Sequence, residues 1–379
     1  MTSHQKQEND LVLKGESYKH FINAIRSPAT RIGYENSLRR YLNFLKLKEV
    51  DDLLSNQHPR YIESQIIGYI MSLRESDVSQ GTIKYLVAPI FTFYQLNDVV
   101  LNRKKVARYF GEYKKVVKDT AYTTDQIQVA LQNADARTRM IILILSSTGC
   151  RVGALPALTL GNLTKLPSYG LYRIVFYEGS NNEMYTFTTR ETAQTGVENY
   201  LLYRKRSGEN ISFNEKTQQW EPLDTPLIRQ QFDVSDLLQV KHPKPMKLNT
   251  LRNVLATHLI RCGLRTIEHP TAPRSTKRVR KSVSLSKGFR KRAISLFIEA
   301  GLNHEIRELI CDHATGLDAA YFRPGEKQVL EEYLKAEPYL TIDSSGRLAQ
   351  ENQALKQEVT RFDKMEKQIQ ELNRKLGLV

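Results

Sequence analysis

Cysteine is scarce in this 379-residue chain, with only Cys150, Cys262 and Cys311. Three is an odd number, and they lie far apart. They set neither a disulfide framework nor the close spacing of a metal site, so a reducing cytoplasm is the expected setting. Acidic residues are also in deficit: 41 Asp and Glu face 56 Lys and Arg, a net charge of +15. No apolar run approaches the length of a membrane span, and polar Met1–Ser17 lacks the apolar centre of a signal peptide. No acidic two-metal cluster and no glycine-rich phosphate loop is visible, so neither a metal nor a nucleotide cofactor is called for.

What is present describes a folded protein with an appetite for polyanions. Hydrophobic residues make up 40% and there are nineteen tyrosines, too many for a disordered basic arm. The cationic excess attracts polyanions by counterion release, and nucleic acid is the default partner. A ribosome-like or membrane-surface role would tolerate the same charge.

The length suits two domains and a tail. Residues 1–16 read as a disordered lead-in. Ser27-Pro28 then opens a helix whose apolar face is Tyr34, Leu38, Tyr41, Leu42 and Leu45. Further helices are expected through Ile66–Met71, from Gly81 to Asn97 and from Lys104 to Lys115, giving a helical unit over 17–118. A polar joint with a capping signal, Asp119–Asp125, leads into helices near 125–133 and 136–147. Tyr172–Tyr177 and Met184–Thr189 alternate about Glu178-Gly179-Ser180-Asn181-Asn182, a β-hairpin signature. Everything after about 193 reads as helical. The second unit, 119–342, is thus expected to be mainly α with a small antiparallel sheet, and 343–379 forms a tail.

An ordered set of residues carries the chemistry. Arg151 stands in Ser147-Thr148-Gly149-Cys150-Arg151-Val152-Gly153-Ala154-Leu155. Lys287-Gly288-Phe289-Arg290-Lys291 comes much later, then Asp312-His313, then Ala320-Tyr321-Phe322-Arg323-Pro324. A tyrosine hydroxyl can attack a phosphodiester while guanidinium forks hold the phosphoryl oxygens. Taken singly, each residue has a bland reading: an arginine pairing a carboxylate, a structural histidine, one tyrosine among nineteen. Order and spacing select them, since Tyr321 follows His313 by eight residues.

In that order the set resembles the tyrosine recombinase (phage integrase) family over roughly residues 20–340. The resemblance implies a helical core-binding domain clamped on DNA, followed by a catalytic domain. It implies Tyr321 as nucleophile, with Arg151, Arg290, His313 and Lys287 as phosphate donors. Lys287 stands where the family commonly has histidine, Ala154 where an acid is common, and Cys311-Asp312 where Leu-Gly precedes the histidine. The family's hairpin lysine, the acid for the leaving 5′ oxygen, has no counterpart in Gly179–Glu183; Lys165 or Lys287 is the candidate substitute. A second arginine box, Leu251-Arg252 to Thr257-His258, competes with Arg290 but lies too far from His313, and His258 reads as an ordinary helix histidine. The Lys-Gly-Phe-Arg-Lys and Tyr-Phe-Arg-Pro neighbourhoods are similar to integrases of archaeal viruses and mobile elements.

Nine Lys and Arg and no acid lie from Arg274 to Arg292. Such a run is usually a solvated loop. Leading into the second arginine motif, it is expected on the DNA backbone through Arg274, Lys277, Arg278, Arg280, Lys281, Lys291 and Arg292. In the tail, Leu348, Leu355, Phe362, Ile369 and Leu376 recur every seven residues, with a phase shift at Phe362. A coiled-coil helix joining protomers into a dimer or tetramer on double-stranded DNA is expected. A single helix folding back on its own domain is the competing reading. The expected function is a site-specific DNA recombinase acting through a 3′-phosphotyrosyl link, without metal or nucleotide, cytoplasmic and nucleoid-associated. The alternatives are a non-catalytic DNA-binding regulator descended from a recombinase, or a type IB topoisomerase-like enzyme.

Overall fold

The computed structural model describes residues 13–112, 120–265, 283–311 and 324–343, together with Met365 and Ile369. The chain divides into two compact units, residues 1–116 and 117–379. His313 and Tyr321 fall outside the described residues, as do Arg274, Lys277, Arg278, Arg280 and Lys281. So does the tail from residue 344 on, apart from Met365 and Ile369, which are helical and exposed.

The first unit is helical and begins earlier than the sequence reading places it. Leu13 is already buried, and α1 spans Glu16–Asn23. Its Phe21 lies edge-on to Phe93, ring centroids 5.8 Å apart, inside the helical core. Pro28 at the first turn and Ser27, whose side chain accepts from the Thr30 N–H, start α2, Pro28–Leu45. Helices α3, Pro59–Glu75, and α4, Gln80–Leu96, complete the packing. Each fully buried Leu, Ile or Phe in such a core contributes about 1.5–3 kcal/mol.

The helix expected over 104–115 is shorter: α5 covers Arg103–Ala107. Gly111 turns the chain at φ 78°, and the Tyr109 carbonyl accepts from Arg74 instead of continuing a helical ladder. Glu63 of α3 holds α5 in place, accepting from the Asn102 N–H at 2.8 Å and from Lys105 Nζ at 2.7 Å. Burial alone would raise its carboxyl pKa. Those two donors outweigh burial and hold it below the usual range.

The second unit is built around α7, Ala136–Thr148. Asp135 caps it, accepting from the Thr138 N–H at 2.8 Å, and α6, Thr124–Gln132, precedes it behind a Thr123/Gln126 capping box. The run Met140-Ile141-Ile142-Leu143-Ile144-Leu145 is buried all round, because other elements cover every face of this helix. A three-stranded antiparallel sheet lies beyond it: β1, Leu163–Leu166; β2, Leu171–Phe176; β3, Met184–Phe187, in the order β1-β2-β3. Ile174 faces Leu163 on one side and Thr186 on the other. The hairpin expected from sequence is β2–β3. The short β1 was not, since four residues give alternation too little length.

After β3 a π-turn, Thr192–Glu198, runs into α8, Asn199–Arg206. The expectation of helix throughout this region fails at 212–221. There β4, Ser212–Asn214, and β5, Gln219–Glu221, form a second hairpin, with Phe213 and Trp220 as cross-strand partners. Below it Glu209 is buried between Arg204 and Arg229, bonded to both guanidiniums. Both arginines also donate to backbone carbonyls, which offsets part of the cost of burying two cations on one carboxylate.

Helices α9, Leu237–Lys241, and α10, Leu248–Arg261, follow. The end of the unit is α11, Lys287–Glu299, α12, His304–Ile310, and a closing helix, Glu326–Leu340. These three share a core of Phe297, Ile306, Ile310 and Tyr333. The Tyr333 hydroxyl donates to the Ser147 carbonyl at 3.0 Å and so ties the closing helix to the end of α7.

Candidate functional site

The C-terminus of α7 sets the first arginine. Gly149 caps it in the left-handed conformation, φ 62°, and a β-carbon there would approach Ala293 Cβ of α11 at 3.0 Å. Glycine therefore serves twice, for the turn and for close passage of a second helix. The next residue, Cys150, is buried, and burial pushes its thiol up to about 11. Arg151 then emerges exposed, just before the 3₁₀ turn Val152–Ala157.

The start of α11 sets the second arginine, and each residue of Lys287-Gly288-Phe289-Arg290 has its own surroundings. A β-carbon on Gly288 would fall 2.7 Å from the Tyr122 ring and 2.6 Å from Val283, so only glycine fits. Phe289 is fully buried, its ring 4.5 Å from that of Tyr122. Lys287 is exposed at the first position of the helix. Arg290 points back to α7: Nη1 donates to the Gly149 carbonyl at 2.8 Å, and Nη2 donates to the Cys311 carbonyl. It thereby joins the turn that carries Arg151 to the last residue before Asp312-His313.

The two guanidiniums are close enough to repel. Burial first, and then Arg151, hold the Arg290 pKa below its ordinary value. An anion placed between them would relieve that repulsion, which is the electrostatic requirement of a phosphate site.

A third member was missed by the sequence reading. Tyr177, directly after β2, lies in the left-handed region at φ 56°, unusual for an aromatic residue and costing on the order of 1–3 kcal/mol. The surrounding turn holds it there. The Ser180 N–H donates to its carbonyl at 3.0 Å, and the Asn162 side chain donates to Glu178 next door at 2.6 Å. The half-buried ring packs against the core that contains Cys150 and Val152. Burial raises its hydroxyl pKa, while Arg151 and Arg290 pull it back down, so the phenol shares their neighbourhood. The signal available in the sequence was a large residue, not glycine, standing directly before Glu178-Gly179.

Other expected residues lie elsewhere. Lys165 is on β1, with Nζ 2.7 Å from a Glu198 oxygen and over the Phe213 ring. Its ammonium is engaged by that carboxylate in this structure. Arg292 corrects the reading of the basic run. It is 4% exposed, donating to the Leu340 and Tyr339 carbonyls and to Thr124 Oγ1. It is an internal brace for the closing helix and not a surface cation. Lys291 is half-buried. Arg252 is exposed on α10, and His258 Nε2 lies 2.7 Å from the Ala130 carbonyl, joining α10 to α6. Among the described residues no group of His, Cys, Asp and Glu could hold a metal ion, and no helix is long and apolar enough to cross a membrane.

No family model and no curated protein matches the chain. Solved structures do. A lambda integrase dimer bound to a COC′ core site has 12% identity and a TM-score of 0.51, over 81% of this chain and 75% of that one. A lambda integrase tetramer bound to a Holliday junction has 12% identity and a TM-score of 0.49, over 83% and 78%. An integrase from mycobacterium phage Brujita has 12% identity and a TM-score of 0.39, over 88% and 95%. All three are integrases by name. The fold, mainly helical with small antiparallel sheets, matches that of the lambda integrase catalytic domain.

Proposed function

We propose that this chain is a site-specific DNA recombinase that breaks and rejoins strands through a tyrosine. The observation that carries the reading is Arg290. It spans from the turn bearing Arg151 to the carbonyl of Cys311, which precedes Asp312-His313 in sequence, and its guanidinium interacts with that of Arg151. In the proposed reaction the Tyr321 oxygen attacks a backbone phosphorus, the bond to the 5′ oxygen breaks, and a 3′-phosphotyrosyl link forms. Arg151, Arg290 and His313 stabilise the charge gathering on the non-bridging oxygens. A 5′ hydroxyl from a second strand then reverses the attack, and the bond energy stays in the protein link.

Exposed Lys287 at the head of α11 adds a point charge near the same phosphate. The basic residues Arg274, Lys277, Arg278, Arg280 and Lys281 track the DNA backbone. The tail brings protomers together on paired sites, and Met365 and Ile369, four residues apart in sequence and exposed, are apolar positions available for that contact. A mobile-element integrase of archaeal type, working in the cytoplasm on nucleoid DNA, is the setting that the Lys-Gly-Phe-Arg-Lys and Tyr-Phe-Arg-Pro neighbourhoods suggest.

The test is covalent capture. A pool of nicked duplexes with a randomised core is incubated with the protein and resolved on a denaturing gel, and captured DNA is sequenced. A band of protein bearing one DNA strand is expected. Retardation on a native gel with no covalent band would favour the DNA-binding regulator.

A further inference from the structure

We propose that Tyr177 is the proton donor to the leaving 5′ oxygen. This rests on the strand-transfer reading above and assigns its missing step. A 5′ alkoxide is a poor leaving group, so cleavage near neutral pH needs an acid at that oxygen. The described turn Gly179–Glu183 carries no lysine, and Lys165 is paired with Glu198.

Three observations place a proton at Tyr177. It directly follows β2 at the edge of the neighbourhood shared by Arg151 and Arg290. Its backbone is left-handed, φ 56°, where a β-carbon is disfavoured, and strain of this kind at a site is retained where the side chain is needed in that direction. Its side chain is half-buried and so partly open to a ligand, whereas Cys150 and Cys311 are inside the core. Its phenol carries the proton that a general acid must supply.

The step balances. As the Tyr321 oxygen bonds to phosphorus, releasing its own proton to water, the P–O5′ electrons go to O5′. The Tyr177 hydroxyl proton transfers to that oxygen. The resulting phenolate lies near the Arg151 and Arg290 guanidiniums, whose charge lowers the cost of forming it. In rejoining, the phenolate takes the proton of the attacking 5′ hydroxyl.

The test uses the full chain and a duplex sequence recovered by covalent capture, made in two forms. One has the ordinary 5′ bridging oxygen at the scissile phosphate and the other a bridging sulfur, whose thiolate leaves without a proton. Tyr177→Phe should slow cleavage of the ordinary strand by about 10²–10⁴-fold. It should cleave the sulfur-bridged strand at the wild-type rate, which also shows that the variant is folded. Lys287→Ala should slow both strands alike. Equal slowing of both strands by Tyr177→Phe, no slowing at all, or sulfur rescue of Lys287→Ala in place of Tyr177→Phe would overturn the assignment while leaving strand transfer standing. Failure of the wild-type protein to form any adduct would overturn both.

Discussion

Replacing Arg290 should cost stability as well as chemistry, and the two losses separate it from Arg252. Its guanidinium donates to two main-chain carbonyls, those of Gly149 and Cys311. A hydrogen bond from a charged donor is worth about 1.5–3 kcal/mol. Part of that sum is returned in Arg290→Ala, because a half-buried cation that repels Arg151 is removed. A net loss of roughly 2–3 kcal/mol remains. In a unit of this size that lowers the melting temperature by about 4–12 °C. Trp220, the single tryptophan, is buried in the second unit, so its fluorescence should report that unit's unfolding. Arg290→Lys can reach one carbonyl but not both, so it should recover part of the stability and little of the strand cleavage. Arg252→Ala, at an exposed position, should stay within about 0.5 kcal/mol of wild type. If Arg252→Ala lowers the melting temperature as much as Arg290→Ala, or Arg290→Ala melts with wild type, the assignment of Arg290 as the bridge is wrong.

Arg292→Met should destabilise the second unit more than any exposed basic substitution, by about 1–3 kcal/mol, because it strands the buried Leu340 carbonyl. A stable variant with weakened DNA binding would return Arg292 to the DNA face. Charge reversal at Arg278, Arg280 and Lys281 should weaken binding to unrelated duplexes about equally and flatten the dependence of affinity on salt. An unchanged slope would leave those residues in solvent. Deleting residues 347–379 should lower the oligomer mass in light scattering and impair paired-site recombination while single-site cleavage persists. Equal mass with and without the tail would refute tail-mediated assembly.

The parts of the fold legible in the sequence are those with a strong period or an explicit stop. The apolar run of α7 and its Thr-Gly terminus, the Ser27-Pro28 start of α2 and the β2–β3 alternation are of this kind. Strands of three or four residues, β1, β4 and β5, give too few alternations to register. The basic run from Arg274 misled at Arg292 because composition carries no direction. At 3.6 residues per turn, two positions along a helix is a rotation of about 200°, so Arg290 and Arg292 of α11 point to opposite faces. Lys287, Arg290 and Lys291 share a face at spacings of three and four. Tyr177 escaped notice because its significance lies in a backbone angle and in neighbours 26 and 113 residues away, Arg151 and Arg290.

The most direct measurement is to identify the amino acid that carries the DNA. The covalent adduct is digested with nuclease and protease, and the peptide bearing a nucleotide remnant is sequenced by mass spectrometry. The remnant should sit on Tyr321, joined through a 3′ phosphate, and the adduct should vanish in Tyr321→Phe while DNA binding persists. A remnant on Tyr177 or any other residue, or an adduct that survives Tyr321→Phe, would contradict the account.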